Sequence, residues 1–122
     1  MFDEQFFFYW EDVDLCRTVK KNNFKIYLNM SAHANHVGES SVKENLKSFI
    51  IRKVYFKYGE LIFQSKYKKL KKIKIIRESI KFSLLAIFFG LTLQFKKTLE
   101  TLCFIYAIIK FLLIFKKTNK NH

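Results

Sequence analysis

Proline is missing from this sequence of 122 residues, and glycine occurs only three times. Sandwiches and barrels need turn residues at short, regular intervals, so this scarcity argues against a many-stranded β fold and favours long helices. Half of the residues are hydrophobic, which is enough for a packed core and excludes wholesale disorder.

Cysteine is also scarce. Cys16 and Cys103 lie far apart in the sequence and belong to no Cys-x-x-Cys or Cys/His cluster. Neither a zinc site nor a disulfide framework is therefore indicated, and we expect two reduced, buried thiols in a cytosolic compartment. The acidic residues Asp3 and Glu4 stand where a secretory signal peptide would carry its basic region, so no signal peptide is predicted.

Acidic residues are few, ten against 23 lysines and arginines, and they are unevenly placed. Five of them lie in the first 17 positions, where Arg17 is the only basic residue, so the remainder is strongly cationic. Two differently built regions are therefore joined. Because the pattern becomes helical from residue 42 onward, the chain is predicted to divide into residues 1–41 and residues 42–122. Strong basicity with many aromatic residues suits either nucleic acid or an anionic membrane surface.

The first part combines an aromatic run with a short helix and an alternating segment. A helix is predicted from Glu11 to Asn23, with Asp12 as its N-cap. Residues 24–28 alternate between apolar and polar side chains, which predicts a strand with one buried face. A second brief strand is expected over residues 32–36, before a polar loop. Together these elements would form a small α/β piece.

The second part is predicted to be helical, amphipathic and associated with a membrane. Seven cations alternate with Ile, Leu and Tyr in one stretch of twelve residues: Lys66, Lys68, Lys69, Lys71, Lys72, Lys74 and Arg77. Two apolar segments follow, Phe82–Phe95 and Leu102–Phe115. A helix made from either would span roughly 21 Å, less than the roughly 30 Å hydrocarbon core, so in-plane or re-entrant helices are expected. Because such apolar segments have no role in a nucleic-acid module, an anionic membrane surface is the predicted partner and nucleic acid is not.

The most informative stretch runs from Phe2 to Arg17, with the sequence FDEQFFFYWEDVDLCR. It resembles the signature of bacterial glycosyltransferase family 2, particularly its rhamnosyltransferase-like members, which build surface polysaccharides. The similarity continues through residues 24–27 to His36 and Gly38, where Ser40 and Ser41 complete an element similar to the family's HxGxS. The tail matches only loosely.

The resemblance implies a catalytic role for the acidic residues of this stretch. An inverting transferase needs a carboxylate that accepts the proton of the acceptor hydroxyl, and Asp12 matches the family's base. Glu11 would orient the acceptor or the base, and Asp14 would support them. From the residues alone, however, Asp12 could equally be a plain N-cap and Asp14 a partner of the helix dipole.

Other roles follow from the same resemblance. His36, Gly38 and Ser40 would bind the donor diphosphate, and His36 is a candidate ligand for a divalent metal, Mg²⁺ or Mn²⁺. Without the resemblance, His36 is an ordinary polar loop residue. Tyr9 or Trp10 could stack on an acceptor sugar, although the aromatic run that contains them also suits core packing.

The expected fold class is mainly α with a small α/β piece, formed by the C-terminal part of a GT-A-type glycosyltransferase and a tail of amphipathic and hydrophobic helices. The nucleotide-binding half of the family, with its DxD motif, is not in the sequence. We therefore expect a truncated chain, or one whose N-terminal half is encoded separately, acting with a nucleotide-sugar donor and a glycan or lipid-linked acceptor at the cytoplasmic face of the inner membrane. The alternatives are a non-catalytic membrane-associated remnant or partner subunit and, more weakly, a small basic nucleic-acid binder.

Overall fold

The computed structural model describes residues 3–33, 45–67 and 70–118, of which 115–118 are described as backbone only. Within these ranges the chain forms four helices and no strand. In chain order they are α1 (Glu11–Lys21), α2 (Leu46–Tyr67), α3 (Lys72–Leu91) and α4 (Phe95–Thr118). The expected mainly α class is confirmed, and so is the helical character of the second part where it is described.

Helix α4 lies at the centre of the fold, because it packs against both α2 and α3. Its buried side is built from Cys103, Ala107, Ile108 and Phe111, which meet Val54 and other apolar residues of α2. Leu61 of α2 and Ile108 are almost fully enclosed, and burial of such a side chain contributes about 1.5–3 kcal/mol. The small side chain of Ala107 is fully buried.

Charged side chains also connect the helices. Lys57 of α2 is buried, and its Nζ atom lies 2.8 Å from Glu60 of the same helix and 2.6 Å from Glu78 of α3. Burial opposes the charge of Lys57, but hydrogen bonds to the two carboxylates outweigh it and raise the pKa of its ammonium group. Lys74 of α3 donates to Gln64 of α2 over 2.7 Å. These contacts fix α3 to α2 through polar pairs.

Helix α1 is held against the C-terminal half of α2. The hydroxyl groups of Thr18 and Tyr67 lie 3.2 Å apart, and the guanidinium of Arg17 lies 4.6 Å from the centre of the Tyr67 ring. The carboxylate of Asp14 binds Lys66. A short polar helix is therefore anchored by side chains on one face.

The predicted strand over residues 24–28 is wrong, since these residues are irregular and mostly exposed, Leu28 to 83%. Alternation gives a strand only where a neighbouring strand satisfies its backbone groups, and the described residues offer none. The small α/β piece is therefore not seen there, and a GT-A sheet finds no support in these ranges. Of the second predicted strand, positions 34–36 fall outside the described residues.

The tail differs in detail from its expected form. Helix α3 begins ten residues before Phe82, and α4 begins at Phe95 after a short turn at residues 92–94. The basic stretch does not form one helix, because α2 ends at Tyr67 and α3 begins at Lys72. None of the described helices combines the length and apolarity needed to cross a membrane.

Apolar side chains cover the outer face of α3. They recur at helical spacing and are all exposed: Ile73, Ile76, Ile80, Leu84, Ile87 and Leu91. The spacing of three and four residues places them in one stripe along the whole helix. This stripe is large for a surface that faces only water.

Candidate functional site

The backbone is strained immediately before α1. Tyr9 and Trp10 have φ angles of 66° and 72°, in the left-handed region that bulky side chains rarely adopt. Each such residue costs about 1–2 kcal/mol. Trp10 occupies the N-cap position but has no side-chain oxygen to offer the helix. Something else must therefore stabilise this turn.

Helix α2 supplies that stabilisation. The indole Nε1–H of Trp10 donates to the carbonyl oxygen of Phe56 over 3.1 Å, and its ring lies 5.3 Å from that of Phe63. Gly59 allows this approach, since a Cβ atom there would lie 3.0 Å from Cδ1 of Trp10. The contacts of Trp10 are those of a packing residue, whereas Tyr9 lines a cavity.

Two carboxylates of the signature meet at one lysine. Nζ of Lys66 lies 2.7 Å from Asp3 and 2.9 Å from Oδ1 of Asp14, which is only 4% exposed. Burial opposes the charge on Lys66, but its hydrogen bonds to Asp3 and Asp14 outweigh this effect and raise the pKa of Lys66. The hydrogen bond from Lys66 lowers the pKa of Asp3. These contacts tie α1 and the loop before it to α2.

Asp12 lies on the exposed side of α1. The prediction that it is the N-cap is wrong, because the helix begins at Glu11 and Trp10 takes the cap position. The side-chain carboxylate still accepts the N–H of Val13 over 2.8 Å. Asp12 therefore presents its carboxylate to solvent in the first turn of α1.

Glu11 differs from its neighbour. The side chain is half-buried, and its Oε2 atom is enclosed without a hydrogen-bond partner among the described residues. Buried carboxylate oxygens are normally hydrogen-bonded, so the enclosed Oε2 atom of Glu11 is an exception. Glu11 and Asp12 are thus adjacent carboxylates in different surroundings.

The predicted donor-side residues His36, Gly38 and Ser40 lie outside the described residues, as does Ser41. Within the described ranges, no three His, Cys, Asp or Glu side chains come close enough to hold a metal ion. The described residues therefore offer no ligand set for the expected Mg²⁺ or Mn²⁺.

A cavity of about 930 Å³ lies between the start of α4, the middle of α2 and Tyr9. Its charged residues are four cations and one carboxylate: Arg52, Lys53, Lys96, Lys97 and Glu100. Aromatic rings supply much of the rest, including Phe49, Phe56, Phe95 and Phe104. Sequence reasoning missed this cavity. The adjacent pair Lys96–Lys97 at the end of an apolar segment was the only local signal for it.

The two thiols also differ from expectation. Cys103 is buried as predicted, and burial raises the pKa of its thiol. Cys16 was expected to be buried, but it is exposed on the outer side of α1. Because α1 packs against α2 through one face, the opposite face, which carries Cys16, is exposed to solvent.

Comparison with models of known protein families, with curated proteins and with solved structures finds no significant match to this chain.

Proposed function

We propose that the chain is the acceptor-side, C-terminal portion of a family 2-like, inverting glycosyltransferase, with Asp12 as the general base. The observation that carries the proposal is the strained Tyr9–Trp10 turn, which α2 holds in place at the start of the helix that carries the exposed carboxylate of Asp12. Strained backbone persists where the surrounding structure over-determines it, and such positions cluster at functional sites. The resemblance of the same segment to the family signature supports the same role.

In the proposed reaction Asp12 accepts the proton of an acceptor hydroxyl while the hydroxyl oxygen bonds to the anomeric carbon of the donor sugar. The bond from that carbon to the nucleoside diphosphate breaks, and the diphosphate leaves with the electron pair. The anomeric configuration inverts because attack and departure occur on opposite faces. The described residues offer no ligand set for the divalent metal that the resemblance implies. In the step given above, the group supplied by the described residues is the carboxylate of Asp12.

The neighbouring carboxylates have different roles in this proposal. Asp14 is a positioning residue, since its buried ion pair with Lys66 fixes α1 on α2. Glu11 stays a proposed orienting residue for the acceptor or the base, on the strength of the family resemblance. Tyr9 is the better placed of the two aromatic candidates for stacking on a sugar, as it lines the cavity. His36, Gly38 and Ser40 stay proposed ligands of the donor diphosphate.

The test is a fusion of this chain to the donor-binding half of a characterised family 2 glycosyltransferase, including its DxD motif. Transfer of labelled sugar to a lipid-linked acceptor is measured for the parent fusion, for Asp12→Asn and for Glu4→Gln. Glu4 is the control, because it is an exposed carboxylate of the same segment. We expect Asp12→Asn to lower the rate at least about 100-fold, the usual contribution of a general base, and Glu4→Gln to leave it unchanged.

Full activity of the Asp12→Asn fusion would rule out the base. A folded parent fusion that binds donor but transfers no sugar would favour the alternative of a non-catalytic remnant or partner subunit. Circular dichroism and donor binding show that each fusion is folded.

We also propose that the chain attaches to an anionic membrane surface. The supporting observation is the exposed apolar stripe of α3, which has Lys72, Arg77 and Lys81 exposed on the same helix. Lys66 and Lys74 of the basic stretch bind partners within the protein. The cations available to lipid are therefore those at the start of α3 and beside its stripe. Each basic residue near such a surface contributes about 1 kcal/mol.

Liposome flotation tests this attachment. The chain should float with vesicles of phosphatidylcholine and phosphatidylserine, and the variant Lys72→Ala/Arg77→Ala should bind these vesicles about 30-fold more weakly, at roughly fivefold for each cation. The pair Lys20→Ala/Lys21→Ala, exposed on α1, is the matched control and should behave as the parent. Equal recovery with vesicles of phosphatidylcholine alone would contradict the electrostatic part of the proposal.

A further inference from the structure

Most of the residues that line the cavity beside Tyr9 belong to α2 and α4 and not to the acidic segment. A second hollow of about 390 Å³ adjoins this cavity, and the two share Phe49, Arg52, Phe95 and Lys96 in their linings. Leu46, Leu99 and Asn45 complete the lining of the second hollow. We call the two together the α2–α4 groove. The volume of the cavity beside Tyr9 is by itself within the range of small-molecule sites.

Two cations of this groove converge on one aromatic ring. Nζ of Lys53 lies 5.6 Å from the centre of the Phe49 ring, and Nζ of Lys96 lies 5.8 Å from the same centre. Glu100, the carboxylate of the groove, is already bound to Lys53 over 2.7 Å. The charges of Lys96 and Lys97 at the exposed rim are not offset by this carboxylate. An anion placed there would be attracted by several cations at once.

The remaining lining is apolar, and part of it is open to solvent. Phe95 is 76% exposed, and Phe56 is exposed as well. A small hydrophilic anion such as free phosphate would use the cations but leave these rings in water. An uncharged hydrocarbon would cover the rings but leave the cations without a partner. The pattern of a cationic rim over an apolar floor matches a ligand with both features.

We infer that the α2–α4 groove binds one anionic lipid molecule, with its phosphate headgroup at Lys96 and Lys97 and its hydrocarbon chain along Phe49 and Phe95. The observations that support this binding site are those of the groove, and they do not depend on the proposed function. Tyr9 connects the groove to the strained turn, since its ring lies 5.7 Å from that of Phe56. The identification of this lipid as the carrier of the acceptor glycan rests on the proposed function.

The binding test uses the full chain and three soluble probes. Dodecyl phosphate below its critical micelle concentration carries both features, dodecyl maltoside carries only the hydrocarbon chain, and inorganic phosphate carries only the anion. Binding is measured by isothermal titration calorimetry and by line broadening of the ³¹P resonance. We expect saturable binding of dodecyl phosphate at one site per chain, with the other two probes at least tenfold weaker.

Variants locate the site. Lys96→Ala/Lys97→Ala should weaken dodecyl phosphate binding about 30-fold, at roughly fivefold for each cation near an anionic lipid. Phe95→Ser should also weaken dodecyl phosphate binding, and it should leave the weak binding of inorganic phosphate unchanged. Because Phe95 is exposed, we expect this variant to fold like the parent. Lys20→Ala/Lys21→Ala is the matched control, because it removes an equal charge from the exposed surface of α1.

The inference is overturned if Lys96→Ala/Lys97→Ala binds dodecyl phosphate as tightly as the parent does. It is also overturned if dodecyl maltoside or inorganic phosphate binds the parent as tightly as dodecyl phosphate. Asp12→Asn should bind dodecyl phosphate like the parent. Absence of sugar transfer by the parent fusion, with dodecyl phosphate binding intact, would count against the catalytic proposal alone. Sugar transfer that persists in the Lys96→Ala/Lys97→Ala fusion after dodecyl phosphate binding is lost would count only against the identification of this lipid as the acceptor carrier.

Discussion

Gly59 lies directly beneath the indole of Trp10, where a Cβ atom would come within 3.0 Å of Cδ1 and 3.2 Å of the carbonyl oxygen of Tyr9. Helix α2 thus has a glycine, with no side chain, at the point where the strained turn packs against it. The signature segment and the second part of the chain, which the sequence presents as separate, are in contact here.

The first prediction concerns this contact. In a helix, Gly→Ala ordinarily stabilises by about 0.5–1 kcal/mol. Gly59→Ala should instead lower the free energy of unfolding by about 1 kcal/mol, because overpacking forces Trp10 from its position. Urea unfolding measures the change, and the emission of Trp10, the only tryptophan, should shift. Gly90→Ala in α3 is the control, since nothing lies within 4 Å of its added methyl group, and it should be neutral or stabilising.

The second prediction concerns the ion pair between Asp14 and Lys66. Lys66→Met leaves the buried carboxylate without its cation and should lower the free energy of unfolding by about 3 kcal/mol. With Asp14→Asn already present, the same change should cost much less, because no buried charge is then stranded. A double-mutant cycle by urea denaturation measures the coupling. Additive effects would show that the two side chains do not interact in solution.

The third prediction is a dependence of stability on pH. Hydrogen bonding from Lys66 lowers the pKa of Asp3 below its ordinary value of 3.8. The unfolded chain therefore binds more protons in this range, so the contribution of Asp3 is complete above pH 3.8 and is lost as the pH falls through its lowered pKa. Asp3→Asn should flatten the acid limb of the stability curve. Glu4→Asn is the exposed control and should retain it.

The fourth prediction concerns the two thiols. Cys16 is exposed, whereas Cys103 is buried and burial raises the pKa of its thiol. An aromatic disulfide reagent at pH 8 should therefore modify Cys16 quickly and Cys103 only upon unfolding, because the thiolate is the reactive form. Thiol titration should find one fast group in buffer and two in guanidinium chloride. A fast group that persists in Cys16→Ser would contradict the buried position of Cys103.

Local features of the fold followed from the sequence. The helix from Glu11 was placed almost as observed, since acidic residues at its start and Lys20 and Lys21 at its end match the helix dipole. The alternating residues 24–28 misled the prediction, because a strand depends on a partner elsewhere in the chain. The position of Asp12 at the helix start was predictable. Its exposure was not, because it depends on which face of α1 meets α2.

The sequence by itself determined that this protein is mainly helical and that its acidic residues gather in one short segment, because helical hydrogen bonds and charge order are local properties. Only the tertiary structure decided that Lys66 binds Asp3 and Asp14, and that Lys96 lies against the ring of Phe49. Those contacts join residues far apart in the chain, and they are set by how the helices pack, which no local pattern specifies.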